Sequence, residues 1–361
     1  MSARTARVAL AAILLAAACA RTTATTSGRP APRRYPVVPA AAAASALPTS
    51  IPAPPPERWL GLLGEYGDGP LWRIVAEQDG HLQLVDSALH VTRLVERGDA
   101  RFVTEPAGER ADFERDATGH GAALLLGSAR LPRNEIEPRA GTNQLRIKPL
   151  RPVDELRAEA LAAAPPAEAG PFKPNDLVEL VKLDSTIRLE IRYATTNNFL
   201  GTRFYDEPRA FMQRPAAEAV VRANRALRPL GYGLLIHDAY RPWYVTKMFW
   251  DATPPDTRWL VADPAQGSRH NRGAAVDLTL YDLATGRPIE MPSTYDESTE
   301  RAYADYPGGT SRQRWHRALL RRVMEAEGFR VNPQEWWHFD HDTWRSYGIN
   351  NVPFDKIPPT H

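Results

Sequence analysis

Cysteine is almost absent from this chain, because only one of its 361 residues, Cys19, carries a thiol. A single cysteine excludes an internal disulfide framework and a zinc site built from several thiolates. Any bound metal must therefore be held by His, Asp or Glu. The net charge is also small, +2 at pH 7, so nothing in the charge balance indicates nucleic acid or an anionic membrane surface as a partner.

Apolar runs long enough to span a bilayer are also lacking near the start of the chain. The run over residues 8–18 is shorter than the roughly 20 residues that a membrane-spanning helix needs. Arg4 and Arg7 precede this run, and alanines at 16–18 precede Cys19, which resembles a bacterial lipoprotein signal. The resemblance implies export to the cell envelope or periplasm and lipidation of Cys19. A plain cleaved signal with an incidental cysteine is the alternative.

The rest of the chain divides by composition into a tether and two folded parts. Residues 20–57 are rich in Pro and Ala and predict a disordered or polyproline-like tether. Residues 58–150 predict a small β-rich domain, and residues 151–173 an interdomain linker. Residues 174–361 predict an α+β domain with a small antiparallel sheet flanked by helices.

Hairpin signals support the β-rich assignment of residues 58–150. Short alternating runs flank Asp79-Gly80 and again Gly98-Asp99, which predicts tight turns between strands of a small sheet or barrel. The histidines here are not accompanied by carboxylates at ligand spacing, so we expect surface or hydrogen-bonded side chains. They are His81, His90 and His120.

Alternation and helical spacing both occur after residue 174. A strand is predicted to end near Arg192, and an amphipathic helix to end at Gly231. A buried strand then runs into the turn at Arg241, and a second amphipathic helix ends at Gly328.

The segment SRHNRGAAVDLTL, residues 268–280, places two metal-ligand types on either side of a turn at Gly273. Alternation predicts a strand that buries Val276 and Leu278 and turns Asp277 to the opposite face. A carboxylate in such an apolar strand is costly to bury unless it is paired or bound to a cation. Taken alone, a salt-bridged Asp277 and a loop residue at His270 explain the pattern equally well.

The segment EWWHFD, residues 335–340, combines a carboxylate with a histidine three residues later. The aromatic run predicts a strand, so the chain must bend if Glu335 and His338 are to face one site. Such a pair suits hydrolysis, in which the histidine holds a metal and the carboxylate moves protons. The alternative is a buried, hydrogen-bonded His338 among ordinary core aromatics.

The segment HDAYRP, residues 237–242, places an arginine on the turn after a buried strand. A guanidinium there can point at a carboxylate or a developing oxyanion, and Asp238 could orient it. A structural pair between Asp238 and Arg241 is the alternative.

Taken together, these segments resemble the D-alanyl-D-alanine dipeptidase family, the VanX-like branch of the zinc peptidases, over roughly residues 174–345. The shared features are RLEIRYATTNNFLG, DAYRP, SRHNRGAAVD and EWWH, in that order. The resemblance implies one Zn²⁺ per chain, with residues in the following roles: His270, Asp277 and His338 as zinc ligands, Glu335 as catalytic base, Arg241 as transition-state stabiliser, and Asp296 and Ser268 as substrate contacts.

The implied activity is hydrolysis of the D-Ala-D-Ala dipeptide by a metal-activated water. Two alternatives stay open. One is a peptidoglycan D,D- or L,D-carboxypeptidase or endopeptidase of the same superfamily, with a peptidoglycan fragment as substrate. The other is a non-catalytic lipoprotein that binds the cell wall. In each case we expect contact with a membrane only through the lipid anchor.

Overall fold

The computed structural model describes residues 35–37, 50–134 and 146–360. Cys19 and the predicted signal lie outside the described residues. Within the described ranges, no helix has the length and apolar character needed to cross a membrane. This part of the chain is a mixed α/β protein with six helices and several small, mainly antiparallel sheets.

The N-terminal half is built from short antiparallel strands in a five-stranded and a three-stranded sheet. Following helix α1 (Glu57–Leu60), these strands are β1 (Gly64–Tyr66), β2 (Arg73–Gln78), β3 (His81–Val85), β4 (Val91–Gly98), β5 (Arg101–Glu105), β6 (Ala111–Arg115), β7 (Gly121–Leu126) and β8 (Ala129–Pro132). Isolated bridges connect the two sheets at both edges, from Val103 to Arg110 and from Tyr66 to Arg133. The strands therefore close into a small barrel, called here the barrel (residues 64–133).

The hairpin predicted at Asp79-Gly80 is confirmed. Gln78 pairs with His81 across the turn, and both central residues have positive φ, 47° and 83°, as a type I′ turn requires. The next hairpin turns one residue later than predicted, because Gly98 pairs with Arg101.

The C-terminal half, called here the C-terminal body (residues 146–360), contains a five-stranded sheet in the order β10 (Arg188–Leu189), β12 (Tyr232–Asp238), β13 (Ala275–Asp282), β15 (Glu335–His341) and β14 (Phe329–Asn332). Only β10 and β12 pair in parallel within this sheet. The elements are α2 (Val153–Ala162), β9 (Leu177–Glu179), α3 (Leu180–Leu183), β10 (Arg188–Leu189), β11 (Phe211–Gln213), α4 (Arg214–Leu227), β12 (Tyr232–Asp238), α5 (Trp243–Ala252), β13 (Ala275–Asp282), α6 (Ser311–Ala326), β14 (Phe329–Asn332) and β15 (Glu335–His341).

Helices α4 and α6 pack against each other and against the sheet. Alternation along β13 buries Val276 and Leu278 in the core, which leaves Asp277 for the other face. Beyond α4 the chain reverses at Gly231, whose φ of 85° is a left-handed conformation that glycine adopts without strain. The polar face of the central strands therefore points away from helices α4 and α6.

Three segments differ from the sequence expectations. The strand expected to end near Arg192 is reduced to the two residues of β10, after which the chain forms a 3₁₀ turn. Within the predicted tether, Tyr35 is buried against the barrel and the C-terminal body, because its ring packs on Trp72. The predicted linker contains α2, which packs on α5 and buries Leu156 in the main core, so this part is a folded element.

Candidate active site

Three potential metal ligands converge at the edge of the central strands. Asp277 on β13 lies directly opposite His338 on β15, and cross-strand partners point to the same face. His270 approaches from the turn before β13. The distances are 3.2 Å from His270 Nε2 to His338 Nδ1, 3.5 Å from His270 Nε2 to Asp277 Oδ1, and 2.9 Å from His338 Nδ1 to Asp277 Oδ1.

This donor set fits a tetrahedral cation. Zinc bonds of about 2.0–2.2 Å to nitrogen and oxygen place tetrahedral ligand atoms about 3.3–3.6 Å apart. Two of the three separations lie close to that range, and the third is slightly shorter. Among the described residues, His270, Asp277 and His338 form the one group of His, Cys, Asp and Glu whose donor atoms could share an ion.

Both histidines are held in the orientation that a metal ligand needs. Nδ1 of His270 donates to the carbonyl of Ala239 at 2.7 Å, which leaves Nε2 to coordinate. His338 Nε2 lies 3.1 Å from Asp340 Oδ1, which leaves Nδ1 to coordinate. A hydrogen bond on the second ring nitrogen fixes the tautomer and raises the basicity of a ligating histidine.

Asp277 is held in the same way. The Tyr295 hydroxyl donates to Asp277 Oδ2 at 2.9 Å, so the other oxygen faces the two imidazoles. Burial alone would raise the pKa of Asp277, but His270 and His338 hold it well below its usual range. Burial alone would lower the pKa of His338, but Asp277 and Asp340 hold it well above its usual range. The buried carboxylate is therefore ionised and attracts positive charge.

A bend in the hairpin brings Glu335 to the same site. On a regular strand, residues three apart point to opposite faces. Here the pairing of β14 with β15 shifts register between Val331 and Asn332, at the start of β15. As a result, Glu335 Oε2 lies 3.8 Å from His338 Nδ1 and accepts a hydrogen bond from Asn332. Removal from water raises the pKa of Glu335, as does Asp277, whereas the two histidines lower it.

Arg241 is fixed by Asp238. Its Nη2 and Nε donate to Asp238 Oδ2 at 2.6 and 3.0 Å, and its guanidinium carbon lies 4.9 Å from the centre of the Phe249 ring. The Asp238 carboxylate also accepts from the Tyr205 hydroxyl at 2.7 Å. This pair is buried, and Arg241 forms part of the wall of the site.

The turn that carries His270 is stabilised by Asn271. The Asn271 side chain donates to the Arg241 carbonyl at 2.7 Å, and its backbone N–H donates to the Ser268 hydroxyl at 3.3 Å. Gly273 has φ 69°, and a Cβ there would lie 2.6 Å from the Leu177 side chain. A larger residue here would adopt a strained left-handed backbone and displace the Leu177 side chain, so glycine suits both the conformation and the packing of the turn.

Asp296 lies on the far wall of the site and adopts a left-handed conformation, with φ 60°. Its Oδ2 accepts a hydrogen bond from the Tyr193 hydroxyl at 2.9 Å. Burial raises the pKa of the Asp296 carboxyl to about 8, and the Asp277 charge adds to this effect. A positively charged partner beside Asp296 would favour its ionised form.

One cavity of about 530 Å³ connects these groups. This volume lies within the range of about 300–1,000 Å³ that is usual for small-molecule sites. The cavity lining includes all seven residues that the family resemblance assigned: Arg241, Ser268, His270, Asp277, Asp296, Glu335 and His338.

Comparisons with known proteins agree with this geometry. A family model described as D-ala-D-ala dipeptidase, within the M15 peptidases, matches residues 173–347. The chain is 34% identical to the D-alanyl-D-alanine dipeptidase of Escherichia coli (strain K12) over 174 residues, which are 48% of this chain and 89% of the relative. The D-alanyl-D-alanine dipeptidase of Streptomyces coelicolor is 32% identical over 182 residues, or 45% of this chain and 90% of the relative.

The chain belongs to the D-alanyl-D-alanine dipeptidase family. Its relatives also include the enzyme of Enterococcus faecalis (strain ATCC 700802 / V583), 34% identical over 42% of this chain and 85% of that protein. The matches fall on the C-terminal body, so the chain is a metallo-dipeptidase by family and carries the barrel outside the matched residues 173–347.

Sequence patterns missed several residues that complete this dipeptidase-family site. Asp340 follows His338 by two positions on the same strand, so period-two alternation could have placed both on one face. Tyr295 is adjacent to Asp296, but nothing in its local pattern indicated the hydrogen bond to Asp277. Tyr193 and Tyr205 were missed as well, because their hydrogen-bond partners lie far away in the sequence.

Proposed function

We propose that this chain hydrolyses the D-alanyl-D-alanine dipeptide in a zinc-dependent reaction, with Glu335 as general base and acid. The convergence of His270, Asp277 and His338 beside Glu335 in one cavity carries this proposal. Two neutral imidazoles and a carboxylate are a donor set found at catalytic zinc sites, where three protein ligands leave one position open.

Zinc held by these three ligands would act as a Lewis acid and lower the pKa of a bound water from about 15.7 to about 7. Glu335 accepts the proton of the attacking water and passes it to the leaving amine. The raised pKa of Glu335 makes its carboxylate a stronger base than an ordinary glutamate.

Arg241 and Asp296 bind opposite charges of the substrate. Arg241 is held by Asp238 before substrate arrives, so its guanidinium stabilises the oxyanion that forms at the attacked carbonyl. Asp296 binds the free ammonium of the dipeptide, whose charge favours the ionised carboxylate. Ser268, on the same wall as His270, adds a hydroxyl for the substrate backbone.

The amine contact distinguishes the dipeptide from the longer substrates of the superfamily. A peptidoglycan stem peptide ending in D-Ala-D-Ala has an amide in place of the free ammonium. Beside that amide Asp296 gains no ion pair, and with a pKa of about 8 its carboxyl stays mostly protonated at neutral pH. Asp296 therefore favours a free dipeptide over a D,D-carboxypeptidase substrate.

Parallel assays of the purified zinc-loaded chain test this assignment. D-Ala-D-Ala and a pentapeptide stem ending in D-Ala-D-Ala are incubated separately, and released D-Ala is measured. We expect rapid release from the dipeptide and little from the pentapeptide. Release from the pentapeptide alone would assign a carboxypeptidase, and release from neither would leave a non-catalytic wall-binding protein.

We also propose export and lipidation at Cys19, supported only by the sequence pattern of the first 19 residues. The test is expression of the chain with metabolic labelling by a fatty acid. The wild type should incorporate the label and sediment with membranes, and Cys19→Ser should do neither. An unlabelled wild type would support a plain cleaved signal.

A further inference from the structure

The segment between β13 and α6 carries two residues of the site on an otherwise irregular stretch of chain. Residues 283–310 contain a single 3₁₀ turn, Glu300–Ala302, and no strand or α-helix. Tyr295 holds the Asp277 carboxylate, and Asp296 lines the cavity. Such a long connection loses much conformational entropy when it is ordered, so contacts at both ends must offset that cost.

One end of this segment is attached to the five-stranded sheet that carries Asp277 and His338. Trp336 Nε1, on β15, donates to the Ser293 hydroxyl at 2.8 Å. Two residues later, the Tyr295 hydroxyl reaches Asp277. Between these contacts and α6, Asp296 has φ 60°, a conformation that costs a non-glycine residue energy and persists only where the surroundings enforce it.

The other end is attached to the barrel through a buried carboxylate. Glu77 on β2 is fully buried, and its Oε2 accepts from the backbone N–H and the hydroxyl of Ser311, at 2.8 and 2.9 Å. Its own backbone N–H donates to the Gly309 carbonyl at 3.0 Å. Ser311 is the first residue of α6, where the helix dipole favours a negative charge. Glu77 thus joins the barrel to the end of the segment.

Arg314 and Tyr306 extend the same contact. Arg314 Nη2 donates to the Glu77 carbonyl at 2.8 Å and to Gln78 Oε1 at 2.6 Å, while its Nη1 donates to the Gly309 carbonyl at 3.0 Å. The Tyr306 hydroxyl lies 3.2 Å from Glu65 Oε1 on β1. The Tyr306 ring is buried in a cluster with apolar residues of β2 and β3 and with aromatic neighbours: Tyr35, Trp72, Ile74, Ala76 and Val85.

We propose that the barrel positions residues 291–310, and through them Asp296, for substrate binding. The barrel contacts the end of the segment next to α6, and the five-stranded sheet contacts the end near Tyr295. Ser293 and Tyr295 keep their own bonds to the sheet, so loss of the barrel contacts loosens the segment from Asp296 onward while the three metal ligands keep their geometry. The part of this inference that concerns substrate rests on the proposed dipeptidase function, and the part that concerns the order of the segment does not.

The test uses the full chain with the substitutions Arg314→Met and Tyr306→Phe, singly and combined. Arg322→Met is the matched control, because Arg322 is exposed on the same helix. Three properties are measured: zinc content, deuterium uptake of peptides covering residues 291–310, and KM and kcat for D-Ala-D-Ala. Thermal unfolding verifies that each variant is folded at the assay temperature.

We expect the double variant to retain one zinc and to take up deuterium faster across residues 291–310. Its KM should rise about tenfold, the equivalent of one weakened hydrogen bond to a charged group, with a much smaller change in kcat. Arg322→Met should match the wild type in all three properties. Faster exchange of the segment also tests the proposal if the dipeptide proves not to be the substrate.

Unchanged deuterium uptake in the folded double variant would overturn the proposal, because the segment would then be ordered without the barrel. A zinc content that falls together with activity would also overturn it, since the barrel would then support the whole body rather than this segment. If the double variant does not fold, Tyr306→Phe alone decides, because it removes one hydroxyl and leaves the buried ring in place.

Discussion

Buried charge is distributed differently in the two halves of this protein. At the cavity of the C-terminal body, Asp238, Asp277 and His338 form a buried row across three neighbouring strands, and Asp340 follows His338 on the same strand. In the described part of the barrel, the buried charged side chains are Glu65 and Glu77, and both bind the C-terminal body. The other buried side chains of the barrel are apolar or uncharged, the buried polar ones including Gln83 and Thr104.

This difference shows which contacts the buried charges of each half serve. Burying a charge is unfavourable unless a partner or a cation compensates it, so a fold retains such groups where they serve a specific contact. At the cavity of the C-terminal body the arrangement of these groups points to a cation and a substrate, whereas Glu179 is paired with Arg209 elsewhere in that body. In the barrel, both buried carboxylates bind residues of the C-terminal body. These contacts attach the barrel, which lies outside the family match, to the peptidase part of the chain.

The largest effect should come from removing Glu335, the proposed base, without disturbing the three proposed metal ligands. Glu335→Gln keeps the size and the hydrogen bond to Asn332 but cannot take a proton. We expect kcat to fall about 10²–10⁴-fold, the usual contribution of general acid–base catalysis, with zinc still bound. The measurements are steady-state hydrolysis of D-Ala-D-Ala and metal analysis.

Glu290→Gln is the matched control for this prediction, since Glu290 is an exposed glutamate outside the cavity lining. It should hydrolyse the dipeptide at the wild-type rate. A Glu335→Gln enzyme with near-native kcat would remove Glu335 from the mechanism and weaken the link between buried charge and catalysis.

The pair of Arg241 and Asp238 should give the next largest effect. Arg241→Lys keeps a positive charge beside the buried carboxylate but loses the planar fork that binds it. We expect kcat to fall roughly 10²–10³-fold, as for the loss of a preorganised oxyanion donor, with a smaller change in KM. Arg225→Lys, at an exposed position on α4, serves as control. Equal kcat in both variants would leave the pair a purely structural role.

Asp340 tests the comparison in another way, because it balances the charge of His338 but is not one of the three proposed zinc ligands. Asp340→Asn removes the carboxylate that holds His338 Nε2 and that also accepts from Arg269. We expect zinc affinity to fall about 10–100-fold, the usual effect of losing such a supporting group. Competition with a chromophoric chelator measures this affinity. An unchanged affinity would show that the sheet alone orients His338.

The buried histidine on α6 should give a smaller effect, on stability rather than on activity. Burial lowers the pKa of His316 to about 4, against an ordinary value of about 6.5 in the unfolded chain. Below pH 6.5 the unfolded chain binds a proton that the folded chain refuses, so this residue destabilises the fold as the pH falls towards 4. Between pH 7 and pH 5, wild type should lose about 2 kcal/mol relative to His316→Gln.

Urea unfolding of the metal-free chain at the two pH values measures this difference. His90→Gln, at an exposed position in the barrel, should follow the wild type at both. If the wild type and His316→Gln lost the same stability between pH 7 and pH 5, the imidazole would accept its proton in the folded state.

Local patterns in the sequence were enough to predict the strand and the turn that carry part of the site, but the chemical roles came from the family resemblance. Alternation placed Asp277 opposite the aliphatic face of β13, and the turn at Gly273 follows from a residue type that tolerates positive φ. Glu335 is different, because its orientation depends on a register shift between β14 and β15 that alternation cannot indicate. The family resemblance, rather than the strand pattern, predicted its place beside His338.

Contacts between distant segments could not be predicted from local patterns. Glu77 follows a strand pattern that gives no sign of Ser311 as its partner, and Tyr35 lies in a stretch whose composition indicates a tether. Ser311 lies 234 residues from Glu77, and the Tyr35 hydroxyl donates to the carbonyl of Glu300, 265 residues away. The hairpins predicted a small sheet or barrel, but its contacts with residues 291–310 and α6 are seen only in the tertiary structure.

The most direct test of the metal site is anomalous diffraction at the zinc edge from crystals of the zinc-loaded chain. One zinc ion per chain is expected, bonded to His270 Nε2, one oxygen of Asp277 and His338 Nδ1, with Glu335 beside the remaining coordination position. A zinc ion held by other residues, or none at these three in a fully loaded protein, would contradict the proposed mechanism.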